Sequence, residues 1–124
     1  MKFLIVDDEP LIRRSLSRAL ISLGHICFEA ENGVQALQIL KNEIFDAVIL
    51  DLIMPEKSGY DVLSESTASI PFFIISAFSG PELSSDYLKS DGRIQMAIKK
   101  PFDDLFVTVN LIVSHLMALE KKSP

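Results

Sequence analysis

Five side chains stand at the ends of short apolar runs. Asp7 and Asp8 follow "KFLIV", Asp51 follows "AVIL", Ser76 closes "IPFFIIS", and Lys100 follows "IQMAIK". A lone carboxylate beside a buried strand such as "AVILDLIMP" is costly unless it is paired or hydrogen-bonded. Asp7, Asp8 and Asp51 brought together would repel one another and drive a pKa upward. A hard divalent cation relieves that repulsion, and a few carboxylates completed by waters in an octahedral shell suit magnesium. Lys100 would add a second positive charge on the opposite flank. Asp51 would then stay ionised as a nucleophile, and an incoming phosphoryl group could share its oxygens among the metal, Lys100 and the Ser76 hydroxyl. Phosphoryl transfer is catalysed in this way, by positioning and charge neutralisation.

Taken singly, each residue has a plainer reading. Asp7-Asp8-Glu9 could be a solvated turn opening a helix, Asp51 a cap, Ser76 a structural hydroxyl and Lys100 a surface charge. Their joint occurrence at four strand ends reverses those readings, because chance would have to place each one separately. His25 and His115 have no such support and read as ordinary surface or helix residues. Lys99 faces away from Lys100, since neighbours on a strand point to opposite sides.

The elements that must position these residues follow from the hydrophobic pattern. Strands are predicted over 2–6, 26–30, 46–50, 70–76 and 94–98, each short and apolar. A helix opens at Pro10 and stops near Gly24, with Ile12, Leu16, Ala19, Leu20 and Leu23 on one face. Val34, Leu37 and Leu40 mark a second helix, and "YDVLSE" begins a short third. The polar stretch "GPELSSDYLKSDG" gives a poorly periodic fourth within 81–90. Leu105, Val109, Ile112, Leu116 and Leu119 define a long last helix. Asp103-Asp104 at its start and Lys121-Lys122 at its end complement the helix dipole. Strands alternating with helices predict a doubly wound α/β parallel sheet, whose ligand site lies at the C-terminal ends of the strands.

Composition narrows the class. With 124 residues, 48% apolar and 23% charged, the chain is one domain over 1–120 with a short tail over 121–124. A net charge of −5 without a basic cluster argues against direct binding of nucleic acid or an anionic membrane. The single cysteine, Cys27, can form no internal disulfide and reads as a small buried hydrophobe. No apolar run reaches membrane-span length, and the start turns acidic too soon for a signal peptide, so a cytoplasmic protein is expected.

The motifs "LIVDDEP", "ILDLIMPEKSG", "IISA" and "KKPF", in this order and each at a strand end, resemble those of a response-regulator receiver domain of two-component signalling, in the CheY-like superfamily. The likeness spans nearly the whole chain. It implies a flavodoxin-like fold with five strands in the order 2-1-3-4-5. It also implies Asp51 as phosphoacceptor, with Mg2+ held by Asp7, Asp8 and Asp51 and by the backbone carbonyl of Ile53. Asp8 would be a direct ligand, Ser76 would bind a phosphoryl oxygen, Lys100 would pair with the phosphoryl group, and the Lys100–Pro101 bond would be cis. Gly59 matches the glycine of the loop after the acceptor strand. The donor would be a histidine kinase or a histidine phosphotransfer protein, and the listener an effector protein or an output domain. Such a module catalyses only its own phosphorylation and dephosphorylation. It would act by binding partners or within a longer regulator.

This chain departs from the family at three places. Ala97 stands where a Tyr or Phe is usual three residues before the motif lysine, and a methyl group cannot gate a pocket as a ring does. The stretch from Asp51 to Ser76 is short, which predicts a truncated third helix. The approach to the fifth strand, "SDGRIQMAIKKP", lacks the usual small residues. A degenerate receiver serving as an interaction scaffold is therefore the alternative. A phosphatase of the haloacid-dehalogenase type would need an acid where Ile53 stands. A flavin-binding flavodoxin would need a phosphate loop where "DDEP" would repel one. Val107 and Leu111 on the last helix suggest an outward protein-contact face, a homodimer among its uses.

Overall fold

The computed structural model describes residues 1–77 and 90–121. Three of the predicted strands consist of residues buried on both faces of the sheet, over 3–6, 47–51 and 72–76. β1 (Lys2–Val6) is an interior strand, flanked by β2 (Ile26–Ala30) at the edge and β3 (Ala47–Asp51) at the centre. β4 (Phe72–Ser76) and β5 (Ile94–Lys99) follow outward. All neighbours are parallel, in the order β2-β1-β3-β4-β5. This is the doubly wound sheet that the sequence predicts.

Alternation along each strand divides the core in two. Leu4, Val6, Val48, Leu50, Phe72 and Ile74 face one side, where α2 (Gly33–Asn42) and α3 (Gly59–Glu65) cover them. Phe3, Ile5, Ala47, Ile49, Phe73 and Ile75 face the other, under α1 (Pro10–Ser22) and α4 (Leu105–Lys121). Strands buried on both faces read as continuous apolar runs, which is why the sequence shows runs here and no alternation.

Local signals set the helix ends. Pro10 opens α1, and Gly24 follows it at φ +92°, a left-handed conformation that costs glycine little. The Asn32 side chain accepts the Gln35 N–H at 2.9 Å at the start of α2. Ser58 and Asp61 close a capping box on α3, whose seven residues are the expected short third helix. Asp104 Oδ1 accepts the Phe106 and Val107 N–H groups at 2.9 and 3.3 Å to start α4.

Several expectations shift in detail. β3 begins at Ala47, because the Asp46 carboxylate is turned outward to accept the Lys2 N–H at 2.7 Å. β5 carries a bulge at Gln95, opposite Phe72–Phe73. Leu23 is exposed because the chain leaves the helix there. Val34 is exposed in the first turn of α2, and Ala36 takes the buried position instead. His25 is half-buried and packs edge-on against Phe3, while His115, a residue of α4 as expected, is half-buried and packs edge-on against Phe73. Cys27 is half-buried against the α1 side of the sheet. The helix expected within 81–90 and the tail beyond Lys121 lie outside the described residues, apart from Ser90. No helix among the described residues is long and apolar enough to cross a membrane.

Candidate functional site

Parallel strands end on one rim, where Asp51 and Ser76 close β3 and β4 and Asp7 and Lys100 directly follow β1 and β5. Asp7, Asp51, Ser76 and Lys100 are 0%, 3%, 0% and 6% exposed, so four polar side chains are withdrawn from water within an apolar sheet. Asp8 is more open. One carboxylate oxygen from each of Asp7, Asp8 and Asp51 lies within 4.8 Å of the others.

Lys100 holds the buried acids together. Its Nζ lies 2.7 Å from Asp7 Oδ2, 3.1 Å from Glu9 Oε1 and 3.3 Å from Asp51 Oδ2. The contact to Asp7 Oδ2 is an ion pair without hydrogen-bond geometry, and that oxygen has no hydrogen-bond partner. Asp7 Oδ1 accepts the Glu9 N–H at 2.9 Å, and Asp51 Oδ1 accepts the Ile53 N–H at 3.4 Å, a long bond. Ile53 is half exposed, and its N–H turns toward the acceptor. The Ser76 carbonyl accepts the Lys100 N–H at 2.7 Å, which ties β4 to the lysine. The Lys100–Pro101 bond is cis. Lys99 is exposed while Lys100 is buried, as strand alternation requires.

The electrostatics follow from burial. Desolvation, joined by the charge of Asp7, pushes the Asp51 carboxyl up to about 7 against the pull of Lys100. Burial also raises the Asp7 carboxyl, although Lys100 and the Glu9 N–H oppose it. Burial would lower the Lys100 ammonium, yet Asp7, Asp51 and Glu9 outweigh it and raise the pKa. One lysine thus faces two buried aspartates and Glu9. A buried Asp7 oxygen contacted by the Lys100 ammonium alone, beside two more carboxylates, is a donor set that fits a hard divalent cation.

Glycine makes the acceptor loop possible. A Cβ on Gly59 would overlap the Asp51 carbonyl oxygen and stand 2.7 Å from Leu52 Cα, both of them backbone. The Gly59 N–H donates to the Leu52 carbonyl at 2.9 Å, so α3 starts directly against the acceptor strand. Gly59→Ala is expected to destabilise the fold by about 3 kcal/mol, read as a lower urea midpoint at unchanged slope.

Two rim features went unread in the sequence. Glu9 shares Lys100, although its identity alone marked only another acid. Arg13 is 9% exposed and reaches the Asp7 carbonyl. Its signal was available, because it sits with Leu16, Ser17 and Leu20 on the buried stripe of α1.

An open, parallel α/β sheet in the order β2-β1-β3-β4-β5 carries this acidic rim, and comparison gives the family to which such a domain belongs. The response regulator receiver domain family matches residues 3–109, and the chain belongs to that family. It is 31% identical over 125 residues to the transcriptional regulatory protein ZraR of Escherichia coli K12, covering 98% of this chain and 28% of that one. A CheY-like receiver domain from Methanospirillum hungatei has the same fold, with TM-score 0.86, 22% identity and 98% of each chain covered. Response regulator TrrA of Thermotoga maritima, solved in complex with Mg2+-BeF, is 30% identical at TM-score 0.73, covering 93% of this chain and 97% of that one. The chain spans about a third of the length of the first curated relatives it matches, probable transcriptional regulators ycf27 of algal origin.

Proposed function

We propose that this receiver domain takes a phosphoryl group from a phosphohistidine donor onto Asp51 in a Mg2+-dependent reaction and changes its partner binding as a result. The observation that carries this reading is the position of Lys100, in contact with both Asp7 and Asp51, beside three carboxylate oxygens within 4.8 Å. The Mg2+-BeF complex of TrrA supports it by analogy.

In this reading Asp7 and Asp8, with Asp51 and the Ile53 carbonyl, hold the cation. When bound, the metal supplies charge neutralisation for the acids and the phosphoryl oxygens. An Asp51 carboxylate oxygen attacks phosphorus, the P–N bond to the donor histidine breaks, and the imidazole leaves with the bonding pair. Lys100 turns from the carboxylates toward the transferred group, and Ser76 donates its hydroxyl to a phosphoryl oxygen. Hydrolysis then returns the carboxylate. The domain turns over no external metabolite, and the listener is an effector protein or an output domain attached to the same chain. Exposure of Ala97 on β5 favours one second reading, a scaffold whose partner binding does not follow phosphorylation.

The test is to incubate the protein with acetyl phosphate, with and without Mg2+, and weigh it intact. The expected result is a gain of one phosphoryl group that requires Mg2+. No gain in a folded protein that binds Mg2+ would favour the scaffold.

A further inference from the structure

We infer that Arg13 is a positioning residue for the metal-holding acids: by clamping the Asp7 carbonyl against Glu29, it sets how Asp7 and Asp8 present their oxygens to a divalent cation. The inference rests on the proposed Mg2+ site.

Arg13 projects from the first turn of α1 into the seam between β1 and β2 and is 9% exposed. A guanidinium withdrawn this far needs partners, and it has two. Nη1 donates to the Asp7 carbonyl at 2.9 Å, and Nε pairs with Glu29 Oε1 at 3.0 Å. Glu29 lies on β2 opposite Ile5, two residues before Asp7. The guanidinium therefore joins the helix, an interior strand and the edge strand at the point where β1 runs out. Neither partner is a carboxylate of the acidic rim. Arg13 leaves those oxygens to Lys100 and to a cation, and grips the backbone that carries them.

That backbone is held at four points. The Asp7 N–H donates to the Ala30 carbonyl at 3.1 Å, and the Asp7 carbonyl accepts from Arg13. The Glu9 N–H donates to Asp7 Oδ1 at 2.9 Å, and the Glu9 carbonyl accepts the Arg13 N–H at 3.1 Å. Arg13 supplies two of the four, one from its side chain and one from its main chain. Groups behind the ligands commonly orient them and change metal affinity when removed.

Charge and position predict opposite signs here. Removing a positive charge near a dication site should, by Coulomb's law alone, leave Mg2+ affinity unchanged or tighten it. Removing a positioning group should weaken it. Arg13→Met keeps the apolar stem and deletes the fork. Arg13→Lys keeps the charge, but one ammonium cannot span both partners as the planar fork does. Arg14→Met makes the same charge change at the exposed neighbour.

The experiment titrates Mg2+ calorimetrically into wild type and these variants, and records unfolding temperatures with and without Mg2+. Arg13→Met and Arg13→Lys are expected to bind Mg2+ about tenfold more weakly, and the Mg2+-induced rise in unfolding temperature should shrink. Arg14→Met should match wild type within about twofold, as charge alone predicts. A purely structural arginine would lower both unfolding temperatures together and leave affinity within that same range, and this would overturn the inference. If Arg13→Met does not fold, Arg13→Lys decides by the same criterion. Failure of wild type itself to bind Mg2+ would instead sink the proposed function, and this inference with it.

Discussion

Asp51→Asn is expected to abolish phosphoryl uptake and, at the same time, to stabilise the metal-free protein at pH 8 by about 2–4 kcal/mol. Loss of reaction follows from loss of the nucleophilic oxygen. The gain in stability follows from burial. The Asp51 carboxyl is shifted from 3.8 to about 7 in the folded state, so the fold resists its ionisation. For a carboxyl with a raised folded pKa, the penalty is absent below the unfolded pKa. It grows as pH rises from about 4 and is complete above about 7, so wild type should lose stability across that window. An amide cannot ionise, so Asp51→Asn should flatten this stretch of the stability–pH curve. That net shift already contains the opposing pull of the Lys100 ion pair. Urea unfolding in EDTA at pH 5 and pH 8 checks this. A variant equal to wild type at both pH values would show that Asp51 is not strained.

Lys100→Met should move stability the other way. The lysine is 6% exposed and lies against Asp7, Glu9 and Asp51, of which the first and last are buried. Removing it leaves two buried carboxylates close together without their shared cation, an arrangement that costs about 3–5 kcal/mol. The loss should be largest at pH 8 in EDTA. It should shrink at pH 5, where Asp51 takes up a proton in place of the ion pair, and it should shrink on adding Mg2+. The double variant Asp51→Asn/Lys100→Met should recover part of the deficit, because one of the two unpaired charges is gone. The rate of phosphoryl uptake from acetyl phosphate should fall at least tenfold even when Mg2+ is saturating, because an ammonium on the phosphoryl oxygens is missing. A Lys100→Met protein as stable as wild type at pH 8 would contradict the description of the rim.

Much of this site is legible in the sequence because a parallel sheet enforces it. Once β1, β3, β4 and β5 are recognised as apolar runs, the residue after each must reach one rim, whatever the loops do. Asp7, Asp51, Ser76 and Lys100 were found in this way. β1 and β2 fall on their predicted residues, while β3 runs one residue further, since Asp51 itself joins the ladder opposite Ile75. What the sequence concealed depends on contacts between elements distant along the chain. The sharing of Lys100 by three acids arises where loops meet, and Glu9 reaches it across 91 residues. The bulge at Gln95 comes from an extra residue opposite Phe72–Phe73 and leaves no compositional trace. Arg13 could be mistaken for a surface charge beside Arg14, although its place in the Leu16–Leu20 stripe of α1 marked it as buried.

The chemistry of the acceptor can be read at a single residue. Protein treated with acetyl phosphate and Mg2+ would be reduced with borohydride, which converts an aspartyl phosphate to homoserine, then digested and sequenced by mass spectrometry. Conversion is expected at position 51, dependent on Mg2+ and absent in Asp51→Asn. Conversion at Asp7 or Asp8, or a phosphoryl group stable to borohydride on Ser76, would contradict it.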